Sequence, residues 1–281
     1  TNTDNYNVAV GYSAGAGVTT GIENVFIGGL CGDATDDGGE CVAVGYQSLS
    51  ANCGSGNSAL GRMALRDCTG QHNTALGHQA GIEVTSGNDN TFIGKSAGSS
   101  VQGGTNNVFV GHDTGLTGSP GGSIVNGSNE VVIGDDSITE AHIQVDWTVA
   151  SDERDKTDFV DLDLGLDFVK ALEPVTYYWD KRSKYGDKYA EDYDLDAQTP
   201  DGTHKEDWMD IGFKAQSVQA LEEAAGYKAE DKKNLTVSTS DDGKQMGLQY
   251  SKFVPILVKA VQELSAQVTA LQAEVNTLKG G

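Results

Sequence analysis

The sequence has few basic residues, few prolines and no long apolar run. Nineteen Lys and Arg residues face 41 Asp and Glu residues, which gives a net charge of −22. This excess of negative charge argues against binding to nucleic acid or to a membrane surface, because both kinds of binding use Lys and Arg side chains to neutralise phosphate groups. With no run of eighteen apolar residues and no secretory signal, we expect no membrane-spanning helix. The first residue is Thr1 rather than Met, which we interpret as a processing point or an artificial boundary.

Glycine is abundant instead, and its distribution divides the chain. Residues 1–150 hold 28 of the 37 glycines but only 3 of the 19 basic residues, and their net charge is −12. The remainder has a net charge of −10 and 16 basic residues. Two kinds of polypeptide therefore meet near residue 150. We expect repeats over 1–140, a junction strand over 141–150, a folded domain over 151–253 and a C-terminal helix over 254–281.

A short phrase, usually an Asn, three strand-forming residues and a Gly, recurs eight times in the first part. The closing glycines are spaced 17, 17, 16, 16, 17, 17 and 23 residues apart. A near-fixed period of this kind predicts stacked units that bury a core only against their neighbours. The phrases are 7–11, 24–28, 41–45, 57–61, 73–77, 90–94, 107–111 and 130–134.

Each phrase predicts a short strand, because its apolar residues alternate and the closing Gly permits a turn. A second small motif such as Ser96-Ala97-Gly98 often follows. We therefore predict two short strands and two turns in each coil, since sixteen residues with this much glycine leave no room for a helix. The first part is predicted to be a β-solenoid or β-roll whose thin core neighbouring chains complete.

The phrase Asn-x-Ala-[Val/Ile/Leu]-Gly-x-x-[Ala/Ser] resembles the head repeats of trimeric autotransporter adhesins over residues 5–137. The resemblance implies left-handed parallel β-rolls assembled as a homotrimer. The repeats are then either a stiff spacer or a surface that contacts a host glycan or protein receptor through loops 33–40, 99–105 and 117–129. Residues 1–146 contain six Tyr or Phe and no Trp, a poor supply of stacking platforms for a sugar groove. No regularly spaced carboxylate pair indicates a glycosidase.

The four cysteines all lie in the repeats. Cys53 and Cys68 are placed to stack on adjacent coils within reach of a disulfide, and Cys31 and Cys41 to bridge the base of an acidic loop. Alternatively, each buried thiol fills a coil corner. Spacings of 10, 12 and 15 match no zinc template and the five His do not cluster, so we predict no metal site and no cofactor.

The junction leads into Ser151-Asp-Glu-Arg-Asp-Lys156. Ser and Lys form a recognised nucleophile–base pair, but an offset of five puts them on different faces of a helix or strand, so a turn between them is required. A general-base Lys must also be neutral, which calls for burial away from the neighbouring carboxylates. The alternative is a charged loop in which Ser151 caps a helix.

Four motifs of the second part resemble, in order, the self-cleaving intramolecular chaperone domain at the C-terminus of phage tailspikes, tail fibres and endosialidases. They are 151–156, which reads Ser-Asp-x-Arg-x-Lys, and then 172–179, 212–219 and 250–264. Asp155 stands where the family usually carries an apolar residue. The resemblance implies a single-turnover auto-peptidase with Ser151 as nucleophile and Lys156 as general base. The bond between Ala150 and Ser151 is then the one that breaks.

Local patterns predict the elements of this part. Phe168–Leu172 and Phe213–Ala225 are predicted helices and Val175–Trp179 a strand. Residues 181–210 are predicted to form an exposed loop that reaches over a neighbour or the nascent shaft. The acidic run over 192–196 lacks the Gly and Glu of an EF-hand, so we predict no calcium site there.

Apolar residues in alternating steps of four and three predict a coiled coil at the C-terminus. Val at a with Leu at d favours dimers. The family resemblance implies a parallel trimer instead, and one symmetry shared with the β-roll favours it. The seam residues are Leu257, Val261, Leu264, Val268, Leu271, Val275 and Leu278.

These features predict a mainly β repeat region followed by an α+β chaperone domain and a coiled coil. The function expected is the distal part of a phage tail fibre or tailspike, assembled in the host cytoplasm and carried on the virion. One alternative is a bacterial or viral surface adhesin with a non-cleaving trimerisation cap. Another is a fibre that binds or degrades host glycans. Neither nucleic-acid binding nor membrane insertion is expected.

Overall fold

The computed structural model describes residues 5–190, 192–231 and 233–280. The chain divides into two compact units that interleave along the sequence. The first holds the repeats up to Thr139 together with Asp180–Lys205 and Thr239–Gln245. The second holds Glu140–Trp179, Glu206–Ser238 and the residues from Met246 onward. The linear boundaries expected from composition stay a prediction.

The first unit is a parallel β-solenoid, which confirms the predicted architecture. Its eight three-residue strands follow one another in sequence order in a single sheet. An added Cβ at the closing Gly45 would lie 2.3 Å from the carbonyl oxygen of Gly61 in the next coil, so adjacent coils approach too closely for a side chain there. The strands are β1 Val8–Val10, β2 Val25–Ile27, β3 Val42–Val44, β4 Ser58–Leu60, β5 Thr74–Leu76, β6 Thr91–Ile93, β7 Val108–Val110 and β8 Val131–Ile133.

Each coil has one strand, not the two predicted. The small motif after the closing glycine forms a turn, because Ser96 (φ 55°) and Gly98 (φ 58°) both adopt left-handed backbone. Left-handed residues interrupt the extended conformation that a strand needs. The second motif therefore marks a corner of the solenoid.

Two positions of each coil fill the solenoid core: the middle strand residue and the residue six further along. In most coils a large side chain at one position is matched by a small one at the other. The middle strand residue is Phe in β2, β6 and β7, and the residue six further along is Gly; an added Cβ at Gly98 would lie 2.2 Å from the Phe92 ring. In the β3 and β4 coils the strand residue is Ala and its counterpart is Leu49 or Leu65, both fully buried. These leucines adopt φ of 48° and 49°, a backbone that costs about 1–2 kcal/mol each, to fill the space. The β5 coil is small at both positions, and Leu65 and Phe92 of the adjoining coils approach its Gly81.

A buried asparagine precedes most strands and joins its coil to the next. The Nδ2 of Asn73 donates to the carbonyl of Gly87 at 2.9 Å, and its Oδ1 accepts from the backbone N of Asn90 at 3.0 Å. These bonds satisfy backbone groups that would otherwise be buried without a partner. The asparagine hydrogen bonds therefore align successive coils in the same register as the pairing of their strands. The buried members are Asn24, Asn57, Asn73, Asn90 and Asn107.

All four cysteines are buried free thiols, so neither expected disulfide is present. Cys31 Sγ instead donates to the carbonyl of Ala43 at 3.1 Å, and the Sγ atoms of Cys41 and Cys53 lie 4.0 Å apart. Burial raises the pKa of Cys31 to about 11 and that of Cys68 to about 12, which keeps both protonated at neutral pH. The thiols fill coil corners, as the second of the two interpretations proposes.

The second unit is a small α+β region, as predicted. Strand β9 Val175–Tyr178 pairs antiparallel with β10 Met209–Gly212, and β11 Val237–Thr239 pairs with β12 Met246–Leu248. The helices are α1 Leu166–Ala171, α2 Ala215–Ala224 and α3 Phe253–Gly280. Short 3-10 turns occur at Glu153–Asp155, Arg182–Lys184, Leu195–Ala197, Ala229–Asp231 and Tyr250–Lys252. Within the described part of the chain, no helix has both the length and the apolar character needed to cross a membrane.

Helix α3 has two different faces. Phe253 and Ile256 are buried in a core with Phe168 of α1. Glu263 Oε2 accepts from the backbone N of Leu166 at 2.7 Å and so caps α1, whose N-terminal Gly lacks a side chain for this purpose. The seven seam residues are different: all are exposed, by 44% to 82%. The heptad pattern is thus an apolar stripe that this chain leaves uncovered.

Residues 141–150 form no strand, contrary to the prediction. Ile143, Val145, Trp147 and Val149 alternate as strand residues do, but they are 54% to 79% exposed. A strand needs a neighbouring strand to satisfy its backbone, and no described part of this chain pairs with the segment. Alternation alone therefore does not produce a strand here.

Exchanging the two core positions within one coil tests the packing. We expect Phe92→Ala alone to lower the free energy of unfolding by about 3–5 kcal/mol, and Gly98→Leu alone to destabilise through a clash with the Phe92 ring. The double variant recreates the Ala–Leu pair of the β3 and β4 coils, so it should be more stable than either single variant. Denaturant unfolding of all three measures this, and strictly additive losses would contradict the exchange.

Candidate functional site

A short turn brings Ser151 and Lys156 together. Residues Glu153–Asp155 form a 3-10 turn, and the backbone N of Lys156 donates to the carbonyl of Glu153 at 3.1 Å. The Nζ of Lys156 lies 2.6 Å from the Oγ of Ser151 and 3.4 Å from the Ser151 carbonyl oxygen. The turn that an offset of five requires is present, and the two side chains are at proton-transfer distance.

Asp152 fixes the start of this turn. Its backbone is extended, and its Oδ1 accepts from the backbone N of Arg154 at 2.9 Å and from the Nε at 3.0 Å. The capping residue is therefore Asp152 and not Ser151, which leaves the Ser151 hydroxyl to Lys156. Hydrogen bonding to Arg154 holds the pKa of Asp152 below its ordinary value. This carboxylate is thus engaged with Arg154.

The single chain does not bury Lys156, although a lysine that acts as a general base must be desolvated. Residues 151–161 are all exposed. Desolvation is what produces a neutral lysine, and no described residue covers this one. The pair therefore has its geometry but not its environment, and activity requires a further surface that covers the turn.

A second cluster joins the last coil of the solenoid to the segment Asp180–Lys205, within the first unit. The Asp136 side chain, 1% exposed, accepts from the Oγ of Ser183 at 2.6 Å and from the Nζ atoms of Lys184 at 3.2 Å and Lys188 at 3.4 Å. Burial alone would raise the pKa of Asp136, but these donors lower it below its ordinary value. Asp136 therefore stays ionised and anchors the segment.

Asp113 extends this cluster one coil earlier. Its buried carboxylate accepts from the Tyr189 hydroxyl, and its Oδ2 lies 3.8 Å from the Nζ of Lys188. Together, His112, Asp113 and Asp135 offer ligand atoms within 4.8 Å of one another, a set that could hold a metal ion. Lys188 already brings a positive charge to Asp113 and competes with such an ion. The absence of a metal site stays a sequence-based prediction.

Neither contact is evident from the sequence alone. Residues 181–210 are predicted to be an exposed loop, yet Ser183 and Leu195 within them are buried. The usable signal is a local excess of cations, with four basic residues in 181–188 of a strongly acidic chain. Their partners lie in coils that only the stacking of the solenoid brings together, so charge pattern indicates a contact without naming it.

Protonation of Asp136 should weaken the first unit. Its folded pKa lies below the ordinary value of 3.8, so its contribution to stability is complete above about pH 4 and is lost as the pH falls through the lowered pKa. At pH 7 we expect Asp136→Asn to lower the free energy of unfolding by about 2 kcal/mol, because Lys184 and Lys188, both partly exposed, lose their charged hydrogen-bond partner. The difference between wild type and variant should decrease as the pH falls below about 4, as the Asp136 carboxylate takes up a proton.

Calorimetric melts across this pH range measure the difference. Asp146→Asn removes an exposed carboxylate of the junction and serves as the matched control. The pKa of Glu130 is raised by burial and by Asp241, so it contributes with the opposite sign, but it is common to both proteins and cancels. A variant whose deficit is the same at pH 7 and pH 2 would contradict the assignment.

The C-terminal region matches a known family. Residues 151–227 match the family model described as the chaperone of endosialidase. The match begins at Ser151 and includes the Ser–Lys turn, α1, β9, β10 and α2. No curated protein and no solved structure matches the chain. Residues 151–227 are therefore similar to the chaperone-of-endosialidase family, over a little more than a quarter of the chain.

Proposed function

We propose that the chain is the distal part of a trimeric phage tail fibre or tailspike. Its C-terminal domain drives trimerisation and folding and then cuts the bond between Ala150 and Ser151. The observation that carries the proposal is the 2.6 Å separation of Lys156 Nζ and Ser151 Oγ at the first residue of the matched family segment. The chain is then assembled in the host cytoplasm and carried on the virion.

The exposed stripe of α3 supports the trimer. Seven apolar residues at heptad spacing are uncovered over the length of the helix. Burying such side chains stabilises by about 1.5–3 kcal/mol each, which a solvated helix forgoes. Parallel copies of α3 would cover one another by knobs-into-holes packing.

The outer face of the solenoid sheet supports the same assembly. The last residue of each strand forms an apolar ridge along the sheet, and most of its members are 39% to 58% exposed. A contiguous patch of this length is rare on a soluble monomer and marks an interaction site. A second and third copy supply matching ridges. The exposed members are Val10, Ile27, Leu60, Leu76, Ile93 and Ile133.

Trimerisation first gives the solenoid a place to begin. No coil buries a core alone, and each strand pair joins residues from successive coils, so folding depends on non-local contacts. Unpaired strand edges also expose the chain to aggregation. A quickly formed helical seam holds three solenoid ends at high effective concentration, which favours correct stacking.

The cleavage uses the Ser–Lys pair once. Ser151 Oγ attacks the carbonyl carbon of Ala150 while its proton passes to Lys156 Nζ. The C–N bond breaks, the amine of Ser151 takes that proton, and an ester joins the Ala150 carbonyl to the Oγ. One water then hydrolyses the ester, which leaves a carboxylate on Ala150 and a new N-terminus at Ser151.

Assembly sets the time of the cut. The residues just before the scissile bond alternate as apolar and polar and are exposed in the single chain, as is Lys156. Neighbouring subunits that cover this segment would also desolvate the lysine. Once the bond is cut, the solenoid is no longer covalently joined to the seam that nucleated it, so its stability becomes kinetic.

The exposure of Lys156 also favours a second candidate. A surface adhesin or receptor-binding fibre could use the same domain as a trimerising cap that never cuts. The two candidates share the fold and the trimer and differ only in the chemistry at Ser151.

Intact-mass time courses of the wild type, Ser151→Ala and Lys156→Ala separate these candidates. We expect a fragment beginning at Ser151 in the wild type and a rate at least about 100-fold lower in both variants, because each loses one member of the pair. Thr157→Ala and Lys170→Ala are matched controls at nearby exposed positions and should cleave normally. Full-length chain throughout would leave the non-cleaving cap as the function.

Charge in the seam tests the trimer. Leu271→Asp places a carboxylate in the apolar stripe of every copy, whereas Ala273→Asp places it at an exposed position of the opposite face. In a Ser151→Ala background, which keeps the chain whole, we expect the parent and Ala273→Asp to sediment as three copies of the 29.5 kDa chain and Leu271→Asp to lose this species. Equal behaviour of the two variants would argue against the seam.

A further inference from the structure

We propose that self-cleavage and release are separate steps, because the C-terminal fragment stays docked on the last coils of the solenoid after the cut. The docking surface is formed by Asp180–Lys205 and Thr239–Gln245, called here the clamp. The inference rests on the proposed cleavage at Ala150–Ser151. It follows from how the chain is distributed over the first compact unit.

The proposed cut does not divide that unit. The clamp lies C-terminal to Ser151 in sequence but belongs to the same compact unit as the solenoid. The severed bond lies in the exposed segment 140–163, whose only buried or half-buried member is Leu162. Breaking the bond therefore removes a covalent connection and no packing contact of the clamp.

Asp136 is the charged centre of the contact. Its buried carboxylate holds Ser183, Lys184 and Lys188 of the clamp, and its backbone carbonyl accepts from the Nζ of Lys181 at 2.9 Å. Four donors from one short segment thus converge on a single residue of the last coil. Dissociation must break them together, which slows it more than a single ion pair would.

The fit is also steric. Gly118 N donates to the Oε1 of Gln245 at 3.1 Å, and an added Cβ at Gly118 would lie 2.5 Å from the Cβ of Ser183. An added Cβ at Gly122 would lie 2.7 Å from the Cβ of Ser240. Both parts of the clamp therefore approach glycines of the long loop before β8 too closely for any other residue.

The two parts of the clamp are joined to each other. Lys244 Nζ lies 2.7 Å from the Oδ1 of Asp194, and the Arg182 guanidinium donates to the backbone carbonyl of Lys244. The clamp thus docks as one piece rather than as two independent loops. General attraction does not explain this contact, since the fragments on either side of the cut carry net charges of −12 and −10. The contact is explained by the local cluster of cations around Asp136.

The test cuts the full chain at a chosen time. A recognition sequence for a site-specific protease is inserted between Trp147 and Thr148, both exposed, in a Ser151→Ala background so that self-cleavage does not contribute. A denaturing gel shows the extent of cutting, and gel filtration of the cut protein under native conditions shows whether the fragments stay together. We expect complete cutting and co-elution. Separation immediately after cutting would overturn the proposal.

Two variants test whether the clamp is what keeps the two fragments together after the cut. Asp136→Asn acts from the solenoid side and Lys184→Ala from the clamp side, which leaves the solenoid sequence intact. We expect each to speed the separation of the fragments by about 30-fold, because each removes one partner from an ion pair whose carboxylate is buried. Asp146→Asn is the control and should behave as the parent. Variants that separate no faster than this control would overturn the role of the clamp.

The outcome does not depend on the self-cleavage itself. If the wild type never cuts itself, the proposed function fails, yet the engineered site still measures docking. If the wild type cuts itself and its fragments separate at once, the proposed function stands and retention fails.

Discussion

The structure depends on one constraint: a coil of 16 or 17 residues cannot bury its own core. Each coil relies on the next for strand pairing and for the hydrogen bonds of its buried asparagine, and the β5 coil also relies on Leu65 and Phe92 of the adjoining coils to fill its interior. The constraint explains why glycine closes every strand and why Leu49 and Leu65 accept strained backbone. It also means that a coil at the end of the stack has a neighbouring coil on one side only. Here the last coil, through Asp136, is held by a segment from much later in the chain.

Folding of a stack of this kind is also slow to nucleate. Its contacts are all to neighbouring coils, so the first pair must form before any stability is gained. The α+β unit differs in that each helix satisfies its backbone hydrogen bonds within itself. Its tertiary contacts are also non-local: α1 and α3 pack through Phe168 and Ile256, and Glu263 caps α1 across 97 positions of sequence. The same chain thus carries a stack that must be started and a helix whose apolar stripe is uncovered.

The limits of prediction from this sequence follow the same division. All eight strands were predictable, because each coil repeats one local demand on sequence, and so were α1, α2, β9 and the heptad stripe of α3. The junction strand was not, since an extended segment such as 141–150 needs a partner that alternation does not provide. The motif identified Ser151 and Lys156, but not the turn between them or the cap at Asp152. The Asp136–Lys184 contact spans 48 residues with no period to reveal it.

The uncovered surfaces and the exposed lysine have a common explanation. Under the proposed cleavage, a Ser–Lys pair active in the isolated chain would cut before the solenoid had formed. Lys156 is exposed where a neutral lysine needs desolvation, and the apolar ridge, the junction residues and the α3 stripe are exposed as well. If the same association buries all of them, the chemistry reports on completed assembly without a separate sensor. In that proposal burial sets the time of the cut, so the 2.6 Å contact between Lys156 and Ser151 can be present before assembly.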